Sequence, residues 1–229
     1  MPIGWYYEER VESDLLERLE GLRDRVAGTE STRGTVTVGT FPTLGRYRLL
    51  PALGRVLSEQ PDVKLVFRYD DTDTLRAALL EGEVDIIVVT GELDRRGLEV
   101  ETIGQARAAV AVAAGEPMSA TISELRERRY LGWKDAIDPT FAAIERWASA
   151  RQFARAATPE IPDIETLRSL AADGVGWICL PDYVVAADER LTSFRAPGLA
   201  RKFPIRLAVR EGLPERTVAH TVRRVFRES

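Results

Sequence analysis

The chain has 229 residues, of which 45% are hydrophobic, and this is enough apolar material for one large domain or for two smaller lobes with separate cores. Its 36 acidic and 32 basic residues give a net charge of −4, which excludes the global basic field that suits a nucleic-acid backbone. One cysteine and one histidine exclude an intrachain disulfide and disfavour a zinc site or a histidine-based dyad, so we predict no metal ion, no cofactor and no catalytic residue.

The first predicted element is an amphipathic helix over residues 5–27. Its apolar residues recur at steps of four and three in a highly charged segment, at Val11, Leu15, Leu19, Leu22 and Val26. We interpret this narrow stripe as a dimer contact, and the alternative is that the helix packs on its own domain. Gly28 ends the helix, and the polar residues 29–34 predict a linker.

The N-terminus does not have the features of an export signal. Residues 1–5 contain neither the basic start nor the apolar core of a signal peptide. No stretch approaches the ~18 apolar residues of a membrane span. We therefore expect a cytoplasmic protein with no membrane partner.

The next part of the chain predicts alternating strands and helices. Strands are predicted at 35–39, 63–68 and 84–89, with helices at about 44–58 and 72–81 between them. This βαβαβ order implies a parallel sheet with right-handed crossovers. Because ligands bind beyond the carboxyl ends of such strands, we expect binding residues in the loops 40–43, 70–73 and 90–91.

A second α/β unit is predicted from about residue 106. Its strands are expected at 108–113, 130–133, 176–180 and 203–209, and its helices at 123–129, 138–151, 164–172 and 214–227. Two such units suggest two lobes between which the backbone crosses twice. Cys179 lies in an apolar strand and is interpreted as buried and structural, while His220 lies in a helical pattern typical of a packing or surface histidine.

Five segments, by their order and spacing, resemble the effector-binding domain of LysR-type transcriptional regulators. They are Gly34–Gly39, Leu50-Pro51, Pro61–Leu65, Leu80–Asp85 and Ala171–Pro181. Pro2-Ile3-Gly4 is similar to the turn that follows the family's winged helix-turn-helix and begins its linker helix. The resemblance implies that the DNA-reading module lies outside this chain, either because the chain was cut there or because a natural relative has lost the module.

The resemblance implies an α/β fold of the type 2 periplasmic-binding-protein kind, with two Rossmann-like lobes joined by two crossover segments and preceded by a long helix. We expect a linker and dimerisation helix at 1–33, lobe I at 34–104 and 210–229, and lobe II at 105–209. The implied function is to sense a small-molecule effector, expected to be a small carboxylate, in the cleft between the lobes. The implied assembly is a homodimer or homotetramer that contacts DNA only through the absent module.

The cleft residues are carried over by position. Thr43 and Thr72 match positions where the family holds a ligand carboxylate with hydroxyls, and both are predicted at helix starts, where free N–H groups and the helix dipole favour an anion. The alternative is that each threonine is a simple N-cap. The other candidates are Thr40, Phe41 and Thr90 on the near lobe and Trp133, Pro139, Thr140 and Phe141 on the far lobe.

The aromatic candidates have two interpretations. Phe41 occupies a loop that often carries smaller residues in the family, and it is expected to narrow the pocket. Trp133 and Phe141 either form an apolar wall for a ligand ring or belong to the core.

An enzyme or a freestanding binding protein on the same two-lobed fold remains the alternative function. An enzyme would need an ionisable group with a perturbed pKa in the cleft, and the acids Asp70, Asp71 and Asp73 beside Thr72 are the group to test. A transporter's solute receptor is disfavoured because the sequence has no signal peptide.

Overall fold

The computed structural model describes residues 34–59, 61–119, 121–133, 138–153, 161, 163–213 and 218–227. The predicted helix 5–27, its linker and the turn at Pro2-Ile3-Gly4 lie outside the described residues. Within the described ranges, no helix has both the length and the apolar character needed to cross a membrane.

A parallel three-stranded unit begins the described chain. Strands β1 (Gly34–Thr40), β2 (Val63–Tyr69) and β3 (Ile86–Thr90) lie in the order β2-β1-β3, with Val38 opposite Phe67 on one side and Ile86 on the other. Helix α3 (Thr72–Glu81) connects β2 to β3 and ends at Gly82 in the left-handed conformation. The predicted βαβαβ unit is confirmed.

The connection from β1 to β2 differs from the predicted single helix. It consists of a short helix α1 (Pro42–Leu44), a π-helical turn (Gly45–Leu49) and helix α2 (Leu50–Glu59). Pro51 has no N–H and cannot bond the carbonyl of Tyr47 four residues earlier, so the regular helical ladder is interrupted where the π-helical turn lies.

Strand β4 (Leu98–Ala113) runs through two sheets. Its first part pairs antiparallel with β7 (Lys202–Arg210), which also pairs with β3 and so completes the first sheet. Its second part pairs antiparallel with β5 (Ile178–Pro181) and β6 (Leu191–Arg195) to form the second sheet. The sequence predicted only residues 108–113 of β4 and did not predict β6. The lobe boundaries at 104 and 209 stay a prediction.

Four helices accompany the second sheet. They are α4 (Ile122–Glu127), α5 (Pro139–Ala150), α6 (Ile164–Ala172) and α7 (Asp182–Val185), of which α7 was not predicted. Asp138 caps α5 and Pro139 follows in its first turn, as the sequence predicted. The strand expected at 130–133 was wrong, because Tyr130 and Gly132 form isolated bridges there, that of Tyr130 to Trp177, and not a regular strand.

Two main apolar regions hold the fold together. One surrounds the first sheet and includes Val38 and Phe41, and Phe226 of helix α8 (Val218–Arg227) packs into it. The other covers both faces of the second sheet, with Trp177 on one face and Ile178 on the other. Cys179 is buried in this second region, where burial raises the pKa of its thiol, and its interpretation as structural is supported by this environment.

Candidate functional site

Threonine hydroxyls lie close together where the two halves of the molecule meet, the first half being built around the first sheet and the second half around the second sheet. Thr40 ends β1, Thr90 ends β3 and Thr140 lies in the first turn of α5, and all three are fully buried. Because β1 and β3 are parallel neighbours, their carboxyl ends reach the same edge of the sheet, where open α/β sheets bind ligands.

A hydrogen-bond network crosses between the two halves at this edge. Thr90 Oγ1 donates to Asp138 Oδ1 at 2.5 Å, and the backbone N–H of Thr140 donates to the same oxygen at 2.7 Å. Thr140 Oγ1 donates to Thr90 Oγ1 at 3.2 Å. The end of β3 is thereby tied to the start of α5 through one carboxyl group.

Gly91 allows this close approach. It follows β3 with φ of 91°, which favours glycine, and a Cβ built there would lie 3.2 Å from Cβ of Pro139. A side chain at position 91 would therefore crowd the first residue of α5. Pro139, a predicted site residue, lies directly against the end of the first sheet.

Tyr183 of α7 closes the same region from the second half. Its side chain packs against the apolar regions of both halves. Burial and the neighbouring Asp138 raise the pKa of its phenol, and Thr43 interacts with its hydroxyl. The Tyr183 hydroxyl oxygen nevertheless has no hydrogen bond at direct distance within the described structure. We refer to six polar residues as the cleft cluster, of which Tyr183 is partly buried and the others are buried: Thr40, Thr43, Thr90, Asp138, Thr140 and Tyr183.

Asp138 is the one acid of the cleft cluster. Its residue is 2% exposed, and burial raises the pKa of its carboxyl above the usual aspartate value even though Thr90 and Thr140 donate to it. Its second oxygen, Oδ2, is buried and makes no direct hydrogen bond to any described residue. From the sequence, Asp138 was predicted only as a helix start, and Tyr183 was not a predicted site residue.

The simple N-cap interpretation was wrong for two of the threonines. The cap of α1 is Phe41, without a side-chain hydrogen bond, and the cap of α3 is Asp71, whose carboxylate accepts from the N–H groups of residues 73 and 74. Thr43 is buried one residue inside α1, and Thr72 Oγ1 is buried with no hydrogen-bond partner in the described structure. Thr40 uses its hydroxyl to bond the carbonyl of Val88 at 2.7 Å.

The aromatic candidates lie mainly in the cores. Phe41 is fully buried in the apolar region of the first sheet. Phe141 is 2% exposed and meets Trp133 edge to face, with ring centroids 4.3 Å apart. Both of these rings pack in the apolar region of the second sheet, so they fit the core interpretation offered from the sequence.

A second polar contact joins the halves at Arg168. This residue was not among the predicted site residues. Its Nη1 donates to the Tyr47 hydroxyl at 2.7 Å and to Glu165 Oε2 at 3.1 Å, and its guanidinium lies 5.2 Å from the Tyr47 ring centre. Nη2 pairs with Asp188 at 3.3 Å. A sequence signal for it exists, because Arg168 follows Ile164 and Leu167 at the spacing of the buried face of α6.

Two of the three acids considered for catalysis have structural contacts. Asp71 caps α3, and hydrogen bonds from Thr74 hold the pKa of its carboxyl below the usual value. Asp70 lies 3.9 Å from Arg68 in a half-exposed ion pair. In the part of the chain that the structure describes, no cluster of three or more His, Cys, Asp or Glu side chains could hold a metal ion.

Comparison with known proteins gives matches of sequence and of fold. A family model described as the LysR substrate binding domain matches residues 29–229. A "Probable RuBisCO transcriptional regulator" of Trieres chinensis is 30% identical over 98 residues, which is 42% of this chain and 31% of that relative. The matched segment thus spans less than a third of that protein.

Two solved structures illustrate the match of fold. The C-terminal domain of a probable LysR family transcriptional regulator from Rhodococcus sp. RHA1 superposes with a TM-score of 0.65 at 22% identity, over 85% of this chain and 98% of that one. The BenM effector binding domain with its effector benzoate superposes with a TM-score of 0.62 at 18% identity, over 85% of this chain and 90% of that one. These matches confirm the predicted fold class.

Proposed function

Because the chain belongs to the LysR substrate-binding-domain family, we propose that it senses a small-molecule effector at the cleft cluster and passes the signal to a DNA-binding module outside this chain. The observation that carries the proposal is the buried network in which Thr90 from one half meets Asp138 and Thr140 from the other. A ligand that binds among these groups makes different contacts when the halves move, and such differential contacts are what a sensor requires.

We further propose that the effector is a small carboxylate. Thr43 and Thr72 supply hydroxyls close to helix starts on the first-sheet side, and the hydroxyl oxygen of Thr72 is buried without a partner in the described structure. Hydroxyl donors favour an anion, and so does the dipole at the N-terminal end of the ten-residue helix α3, where Asp71 already accepts from two of the N–H groups. The structurally similar BenM domain is described with benzoate as its effector, which supports the same class of ligand.

A thermal-shift screen of the whole chain against small aliphatic and aromatic carboxylates tests this function. A ligand of the native state raises the melting temperature with increasing ligand concentration. We expect at least one carboxylate to do so, while an uncharged analogue of the same shape has a smaller effect. A screen in which no carboxylate raises the melting temperature would contradict the proposal.

Assembly is part of the proposed function. We propose that the segment 5–27 pairs with a second copy to give a homodimer or homotetramer, and that the acidic chain approaches DNA only through the absent module. The enzyme alternative has little support, because the family is one of regulator domains and two of the acids beside Thr72 are a helix cap and a member of a half-exposed ion pair.

A further inference from the structure

We propose that the effector carries an amino or hydroxyl group beside its carboxylate, and that Asp138 selects this group by accepting a hydrogen bond at Oδ2. The inference rests on the proposed function, because it concerns the ligand of the same cleft. It adds a residue that determines specificity and narrows the ligand to amino acids or hydroxy acids.

Asp138 uses only half of its hydrogen-bonding capacity within the described structure. Oδ1 accepts from the Thr90 hydroxyl and from the Thr140 N–H, so it fixes the side chain and caps α5. Oδ2 accepts no direct hydrogen bond although the residue is 2% exposed. A buried acceptor without a donor is costly, and the cost is removed when a ligand brings the donor.

None of the groups with the largest influence on the pKa of Asp138 is a described cation. Burial raises the pKa of its carboxyl, and the neutral groups of Thr90, Thr140 and Tyr183 lower it, although the Tyr183 hydroxyl makes no direct hydrogen bond in the described structure. Oδ2 therefore suits a donor on a ligand, whether a charged ammonium or a neutral hydroxyl.

The position of Thr43 connects this acid to the carboxylate end of the ligand. Thr43 interacts with the Tyr183 hydroxyl, and the same hydroxyl is influenced by Asp138. A ligand carboxylate held by Thr43 would thus lie near a second carboxyl group, where like charges oppose each other. A donor on the ligand that bonds Oδ2 relieves this repulsion, so an acid with a donor fits the cleft better than an acid without one.

Matched sets of acids on one carbon frame test the inference by titration calorimetry with the whole chain. One set is butanoate, α-aminobutanoate and α-hydroxybutanoate, and the other is benzoate, anthranilate and salicylate. We expect at least one donor-bearing acid to bind roughly ten- to a hundredfold more tightly than its parent acid, which is the usual effect of a hydrogen bond to a charged group.

Two variants of Asp138 assign the preference to Oδ2. Asp138→Asn replaces the acceptor with an N–H donor and is expected to reverse the preference, while Asp138→Ser keeps a helix-capping oxygen and is expected to abolish it. Asp163→Asn is the matched control, because Asp163 caps α6 of the same half in an exposed position, and it should keep the wild-type preference.

The outcomes separate this inference from the function on which it rests. Equal binding of parent and donor-bearing acids to the wild type, or a preference that persists in Asp138→Ser, would overturn the role of Asp138 while leaving a carboxylate sensor intact. If none of the acids binds, or if binding is unaffected by the double variant Thr43→Val and Thr72→Val, the proposed function fails as well.

Discussion

At the scale of single residues, the buried carboxyl of Asp138 makes stability depend on pH. Burial raises the pKa of this group in the folded protein, so the folded state holds the proton more tightly than the unfolded chain. The stability that the raised pKa of Asp138 adds to the free energy of unfolding is fully present below the ordinary aspartate pKa. It is lost as the pH rises through the raised pKa. The same carboxyl accepts hydrogen bonds from Thr90 and Thr140, so its ionisation changes the charge of the contact between the halves.

The variant Asp138→Asn removes this titration. We expect the free energy of unfolding of the wild type to fall relative to that of the variant as the pH rises from about 4 to about 7, because only the wild type must ionise a buried acid. Urea unfolding of both proteins across this range measures the difference. A difference that is flat with pH, or that changes in the opposite direction, would contradict the raised pKa.

The two threonines proposed to hold the effector are also tested by substitution. In the double variant Thr43→Val and Thr72→Val, the free energy of binding a carboxylate that stabilises the wild type should become less favourable by about 1–3 kcal/mol, because two hydroxyl donors are lost. The free protein should melt at nearly the same temperature, since neither Thr72 Oγ1 nor the Tyr183 hydroxyl, with which Thr43 interacts, makes a direct hydrogen bond in the described structure. Thr35→Val, at an exposed position of β1, is the control and should leave the affinity unchanged.

At the scale of elements, the contact between β3 and α5 depends on a glycine. Gly91→Ala places a methyl group against Pro139 at a φ of 91°, and we expect it to lower the free energy of unfolding by about 1–3 kcal/mol. Gly54→Ala on α2 is the control, since a Cβ there has no heavy atom within 4 Å and alanine favours a helix. Urea unfolding measures both variants, and equal effects would mean that the approach of α5 to the first sheet does not need glycine.

Elements were predictable where their signals are local. The parallel βαβαβ unit and the start of α5 follow from apolar periodicity and from the Asp138-Pro139 pair, which act within a few residues. The first part of β4 was missed although Leu98 and Val100 alternate with Glu99 and Glu101 as in a half-buried strand. Its pairing with β7 is set by residues about a hundred positions away.

Site residues were predictable only in part for a related reason. Thr90 was selected because it lies at the end of a predicted strand, and Thr140 because its segment resembles a cleft loop of the family, at a helix start. Asp138 and Tyr183 acquire their roles from contacts between residues far apart in the chain, which no local pattern encodes. The buried arginine of α6 was visible as a charge on an apolar helical face, although its partner Tyr47 was not.

At the scale of the whole molecule, self-association is proposed to depend on the segment before the first strand. Removal of residues 1–28 should lower the average mass measured by analytical ultracentrifugation, because the apolar stripe from Val11 to Val26 would be lost. Circular dichroism of the shortened protein serves as the control for an intact fold. An undiminished assembly would mean that this segment packs on its own subunit.

The continuous strand β4 has a consequence for how the molecule unfolds. Strand β4 contributes hydrogen bonds to both sheets, and β7 pairs with its first part. If β4 left one sheet, strand edges of the other sheet would also be exposed. The two halves are therefore expected to melt as one cooperative unit rather than as two independent domains. The binding of an effector at the cleft then stabilises the whole folded chain and not one half alone.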